Sequence, residues 1–147
     1  MSEINIYTTD NVIKILPKLV ESIVSQNKRI YLLCNDNKEV EEIDYLLWSY
    51  SQLSFIPHAT ISDLYKDHQM VVIGTEIDYE SKATVIISLS SIVHEKLLFF
   101  IKKYEKILLF NYHLDKCPEI SHVNLIEQDI TGKWIKKTYE NNSNSGR

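Results

Sequence analysis

An α/β domain of three layers, a mostly parallel sheet between helices with a C-terminal β-hairpin, is what this sequence predicts. Three observations carry that expectation. Short β-rich runs alternate with helical patterns along the chain. The runs MVVIGT (70–75), ATVIISL (83–89) and KILLFN (106–111) are continuously apolar, as strands covered on both faces must be. Near the end, VNLIEQ and KWIKKTY flank DITG, the pattern of a hairpin.

Each element has its own local reason. INIYTT (4–9) is the first strand, and Leu16, Leu19, Val20, Ile23 and Val24 then recur at helical spacing. Pro17 inside a helix begun at Asp10 would cost about 3 kcal/mol. The reading therefore places it in the first turn, where a missing N–H matters little. RIYLLC (29–34) is the second strand, and NDNKEVEEIDYLLWSY (35–50) the second helix. Asp36 with Glu39 three residues on resembles a capping box, with Asp in place of Ser or Thr. SSIVHEKLLFFIKKY (90–104) is the third helix. Residues 1–140 are expected to form a single domain, and 141–147 a polar, disordered tail.

At 147 residues the chain is one domain's worth, and such a domain buries roughly 68–70% of its unfolded surface. Charge is unevenly placed. Residues 1–100 carry eight basic and fourteen acidic groups, and residues 101–147 carry eight basic and six acidic. Neither part has the dense basic stripe of a nucleic-acid binder, which argues against direct DNA contact. Cys34 and Cys117 form no Cys-x-x-Cys, and MSEINIYTTD is neither basic nor continuously apolar. Both features suit a mature protein of the reducing cytoplasm. No apolar run approaches the length of a membrane span.

An α/β rhythm raises the question of a nucleotide site beyond the strand ends. Glycines stand alone at 74, 132 and 146, so no phosphate-cradling motif exists. The histidines at 58, 68, 94, 113 and 122 include no metal-binding pair at helical spacing. Ser88, Ser90 and Ser91 lack the Gly-x-Ser-x-Gly elbow, and helix capping accounts for them better. The expectation is a non-enzyme with no cofactor and no metal. The alternative is a nucleotide- or metal-dependent α/β enzyme whose site is assembled without a known motif.

LLWSYSQLSFIPHA (46–59) poses the sharper question. At about 100° per residue, Val40, Ile43, Leu46, Leu47 and Tyr50 share a sector of about 120°, the stripe to be buried. Trp48 lies roughly 135° from its centre, on a flank with Glu41 and Asp44, and Tyr45 lies further round. Either the 51–69 connection folds over Trp48, or Trp48 joins Phe55 and Pro57 in an exposed aromatic patch. Large aromatics are usually buried. They are also enriched in interface hot spots, and the wheel favours the patch.

From Cys34 to His58 the residues resemble the chi subunit of the bacterial DNA polymerase III holoenzyme. The family's pattern is a strand ending near a cysteine, an acidic helix closing on Leu-Trp, and Phe-(Ile/Val)-Pro-His after a short spacer. Cys34, Leu47, Trp48, Phe55, Pro57 and His58 match it. INIYTT and TVIISL are similar to its core strands, and VNLIEQDITGKW to its closing segment, so the likeness covers most of residues 1–137. It implies a Rossmann-like, non-catalytic adaptor that joins the psi subunit, and through it the clamp loader. It also implies a grip on the acidic, Phe-ended C-terminal tail of single-stranded DNA-binding protein. By the same resemblance Trp48, Phe55, Pro57 and His58 face a psi-type partner or a helicase. One departure concerns the tail. Where the family has an Arg-rich helix, NYHLDKCPEISHVN (111–124) is short and holds only Lys116. Lys133, Lys136 and Lys137 are then the basic candidates, with Lys102 and Lys103 as substitutes.

Overall fold

The computed structural model describes residues 2–50, 58–63, 69–77, 79–90, 92, 94–112, 122–128 and 131–140. Its elements in chain order are β1 (Glu3–Thr8), α1 (Val12–Ser25), β2 (Ile30–Leu33), α2 (Asn37–Tyr50), β3 (His58–Thr60) and β4 (Val71–Gly74). They continue with β5 (Val85–Ser88), α3 (His94–Lys103), β6 (Lys106–Phe110), β7 (His122–Gln128) and β8 (Trp134–Glu140). One sheet joins the strands in the order β3-β4-β2-β5-β6-β1-β7-β8. Neighbours run parallel except β7 and β8, which pair antiparallel as the expected hairpin. Gly132 (φ 86°) turns that hairpin in a conformation that L side chains resist.

Strand alternation sorts the core into two layers. Leu16, Val20 and Ile23 of α1, with Val40, Ile43 and Leu47 of α2, pack on Ile30, Leu32, Ile73, Val85, Ile87 and Leu108. On the other face Leu97, Phe100 and Tyr104 from the α3 region pack on Ile4, Ile6, Tyr31, Leu33, Ile86 and Ile107. Strands β2, β4 and β5 are buried along their whole length. That is why their sequences read as unbroken apolar runs.

Helix α1 departs from expectation at its start. Asn11 Oδ1 accepts the Lys14 N–H at 3.2 Å, so the helix opens at Val12 and Pro17 lies in its interior. The proline forfeits the bond its N–H would have given to the Ile13 carbonyl. Its ring is buried, so packing offsets part of that loss. The helix ends on Asn27 (φ 61°), with the Lys28 N–H reaching the Ile23 carbonyl and the Asn27 N–H that of Val24. This is a Schellman ending. Helix α3 begins at His94, later than the expected 90. Ser90 therefore precedes it, and Ser88 is buried with its hydroxyl donating to the Ser90 carbonyl at 3.0 Å. The edge strand β3 falls inside the stretch that the sequence presents as a connection. It is three residues long, too short to show a period. No helix among the described residues is long and apolar enough to cross a membrane.

Candidate partner-binding site

Helix α2 starts where its capping residues predict. Asp36 Oδ1 accepts the Glu39 N–H at 2.8 Å, and Glu39 Oε1 accepts the Asn35 N–H at 2.8 Å. Val40, Ile43 and Leu47 are buried against the sheet, and Leu46 and Tyr50 pack on the same cluster. Tyr50 also donates to Glu21 Oε1 of α1 at 3.4 Å. These contacts fix the rotation of the helix, and the rotation throws the opposite flank outward. Trp48 is 59% exposed and Tyr45 is 75% exposed.

The indole has a built support. The His58 side chain, from the first residue of β3, is only 2% exposed and puts Nε2 3.1 Å from Asp44 Oδ1. The two atoms lie within charge-contact distance, outside hydrogen-bond alignment. Trp48 meets the imidazole edge-on, with ring centroids 5.4 Å apart and planes at 68°. Asp44 and Trp48 are one helical turn apart on the same flank, so one buried histidine contacts both. His58 thus lies beneath the patch and Trp48 on its surface. Phe55 and Pro57 lie outside the described residues.

The same flank continues into a cleft of about 360 Å³ lined by Asn37, Val40, Glu41, Thr60, Ile61, Ser62, Ile73, Gly74 and Thr75. Its β-side wall is held tightly. The Thr60 N–H donates to Asp63 Oδ2 at 2.8 Å, and the Ile61 N–H to the Ile73 carbonyl at 2.9 Å. A Cβ on Gly74 would stand 2.8 Å from Ile61 and 2.9 Å from the Tyr31 hydroxyl, so only glycine fits there.

The hairpin lysines do not converge on one face. Register places Lys136 opposite Ile126 and Lys137 opposite Leu125, so successive side chains leave on opposite faces. Lys137 pairs with Glu127 at 3.1 Å. Lys136 shares the α1 face with Trp134, which is 39% exposed and meets Tyr7 edge-on at 6.4 Å. There Trp134, Tyr7, Ile126, Ile15, Leu19 and Lys18 line a mainly apolar cleft of about 220 Å³. Lys133 stands in the turn before β8, and Lys102 and Lys103 end α3.

Reactive groups elsewhere are tied down. Burial, with Glu39 and Asp36 nearby, pushes the Cys34 thiol up to about 12, which keeps it from acting as a thiolate at neutral pH. Among the described residues no three His, Cys, Asp or Glu side chains gather as a metal-binding group. Sequence reasoning found Trp48 from the wheel, but it missed the Asp44–His58 contact and the Glu41 cleft. Both depend on β3 returning beside α2. Only the one-turn spacing of Asp44 and Trp48 hinted at the first, and nothing in the sequence hinted at the second.

Residues 1–116 match the family model described as DNA polymerase III chi subunit, HolC. The chain is also 27% identical over 152 residues to a probable DNA polymerase III subunit chi of Rickettsia prowazekii (strain Madrid E). That alignment spans 92% of each chain. The chain belongs to the DNA polymerase III chi subunit family.

Proposed function

We propose that this accessory subunit of DNA polymerase III is a non-catalytic cytoplasmic adaptor with two protein-binding sites. The first, formed by Trp48 with Phe55 and Pro57 and propped by His58, takes a psi-type subunit or a helicase. Through it the chain connects to the clamp loader. The second, at the C-terminal hairpin, takes the acidic tail of single-stranded DNA-binding protein.

One observation carries the reading: an indole 59% exposed on a helix whose rotation is locked from the other side. An exposed tryptophan on a rigid base is the usual anatomy of an interface hot spot. For the tail, Lys136 and Lys18 stand beside the apolar Trp134 cleft, a pairing that suits a carboxylate next to an apolar side chain. Lys133 adds charge at the turn, whereas Lys137 is already engaged by Glu127. Strands β3 and β8 are opposite edges of the eight-stranded sheet. At about 4.8 Å per strand they are roughly 34 Å apart, so the two partners need not collide.

The test is Trp48→Ala and Phe55→Ala, each assayed for melting temperature and for capture of purified polymerase subunits. Loss of capture with an unchanged melting temperature is the expected result. Unfolding with undiminished capture would assign the indole to the core instead.

A further inference from the structure

The chemistry of the Trp48 flank says what its partner must carry. Helix α2 bears Glu39, Glu41, Glu42 and Asp44 against a single cation, Lys38. Glu39 is committed to Asn35, and Asp44 to His58. Glu41 makes no ion pair among the described residues, yet it lines the cleft of about 360 Å³ beside β3. Its companions there are uncharged: Asn37, Thr60, Ser62 and Thr75 are polar, and Val40, Ile61 and Ile73 are apolar. An exposed carboxylate at a cleft to which no described residue brings a cation suits one supplied by a partner. Glu41 and Trp48 are seven residues apart on one flank, two helical turns, or about 10 Å. Asp63 follows in the loop beyond β3 and adds negative charge on that side.

We infer that the seam between α2 and β3 is a docking groove for a basic amphipathic segment of the partner protein. An apolar side chain of that segment covers Trp48 and Tyr45, and a lysine or arginine about 10 Å away enters the cleft against Glu41. The inference rests on the adaptor reading and adds the charge of the ligand to it. An acidic segment would bring like charges together in a partly desolvated groove, which is costly.

Two synthetic amphipathic peptides test this. They share one leucine stripe and differ only in lysine or glutamate flanks. Each is titrated against the full chain by fluorescence anisotropy, at low and at high salt. The lysine peptide should bind at least about tenfold more tightly than the glutamate peptide, and salt should narrow the gap. Glu41→Lys, at an exposed residue, should keep the wild-type melting temperature and reverse the order of the peptides. Trp48→Ala should weaken the lysine peptide by about tenfold or more. If Trp48→Ala binds like the wild type, the aromatic patch is not the site, and the adaptor reading falls with the inference. If Trp48→Ala loses binding while peptide charge and Glu41→Lys make no difference, only the basic partner is overturned. Failure of both peptides to bind the wild type also overturns the basic partner and leaves the subunit-capture test of the adaptor intact.

Discussion

Asp44 Oδ1 stands 3.1 Å from His58 Nε2, which ties the middle of α2 to the sheet's edge strand directly beneath Trp48. The contact makes the exposed indole a fixed feature rather than a swinging one. Asp44→Ala withdraws a partly exposed carboxylate from a buried imidazole and should cost up to about 1 kcal/mol of stability. Partner capture should fall by more than that loss of stability explains, because the platform under Trp48 loosens. Denaturant titration beside a binding assay separates the two effects. Capture that falls no further than stability does would show the support to be purely structural.

Gly74 marks how closely the loop after β3 packs on β4. Its missing side chain admits Ile61 and the Tyr31 hydroxyl, which itself donates to the Glu76 carbonyl at 2.8 Å. Gly74→Ala drives a methyl into the Ile61 and Tyr31 side chains and should destabilise by about 1–3 kcal/mol. A urea midpoint unchanged from the wild type would contradict this packing.

Most of the fold was legible because long-range order coincided with local pattern. The all-buried strands β2, β4 and β5 show as unbroken apolar runs, and Asp36 with Glu39 announces α2. Trp48 was legible for a related reason, since a helix with one strong apolar stripe has only one way to face the sheet. Pro17 misled because the general cost of an interior proline was weighed without the Asn11 cap that starts α1 earlier. Strand β3 and the Glu41 cleft were illegible, being produced by a chain return that no local period encodes. The hairpin lysines look like one cluster in sequence. The alternation of β8 divides them, a consequence legible only once the strand's register is known.

A polar row centred on the buried Asn5 and Asn124 stitches the hairpin to the sheet. Asn124 Nδ2 donates to Asn5 Oδ1 at 2.7 Å, and the Thr138 hydroxyl donates to Asn124 Oδ1 at 3.1 Å. Asn5 Nδ2 donates onward to Glu3 Oε2 at 3.0 Å. A one-residue slip of β7 would turn Asn124 to the other face and strand Asn5. Asn124→Ala should cost about 1–3 kcal/mol. With Asn5→Ala in a double-mutant cycle, a coupling of about 0.5–3 kcal/mol is expected. Additive losses would mean that the two amides act independently.

Alkali should find a weakness that neutral pH conceals. Burial raises the thiol of Cys34 from 9.0 to about 12, and the phenol of Tyr104 from 10.0 to about 12. Burial also raises the phenol of Tyr31. The folded chain therefore keeps protons that the unfolded chain releases above the ordinary values. By linkage, the stability these groups contribute is full below pH 9.0 and is lost as pH rises towards about 12. Melting temperature should thus fall across that window with a slope that steepens above 10.0, where the tyrosines join. Phenolate absorbance offers a second view of the same event. Of the nine tyrosines, Tyr31 and Tyr104 should ionise only together with unfolding, in a late and cooperative step. Iodoacetamide mapped to Cys34 should react on the same schedule. A single early phenolate titration, with Cys34 alkylated in the native protein below pH 9.0, would mean that neither layer is as tightly closed as its packing indicates.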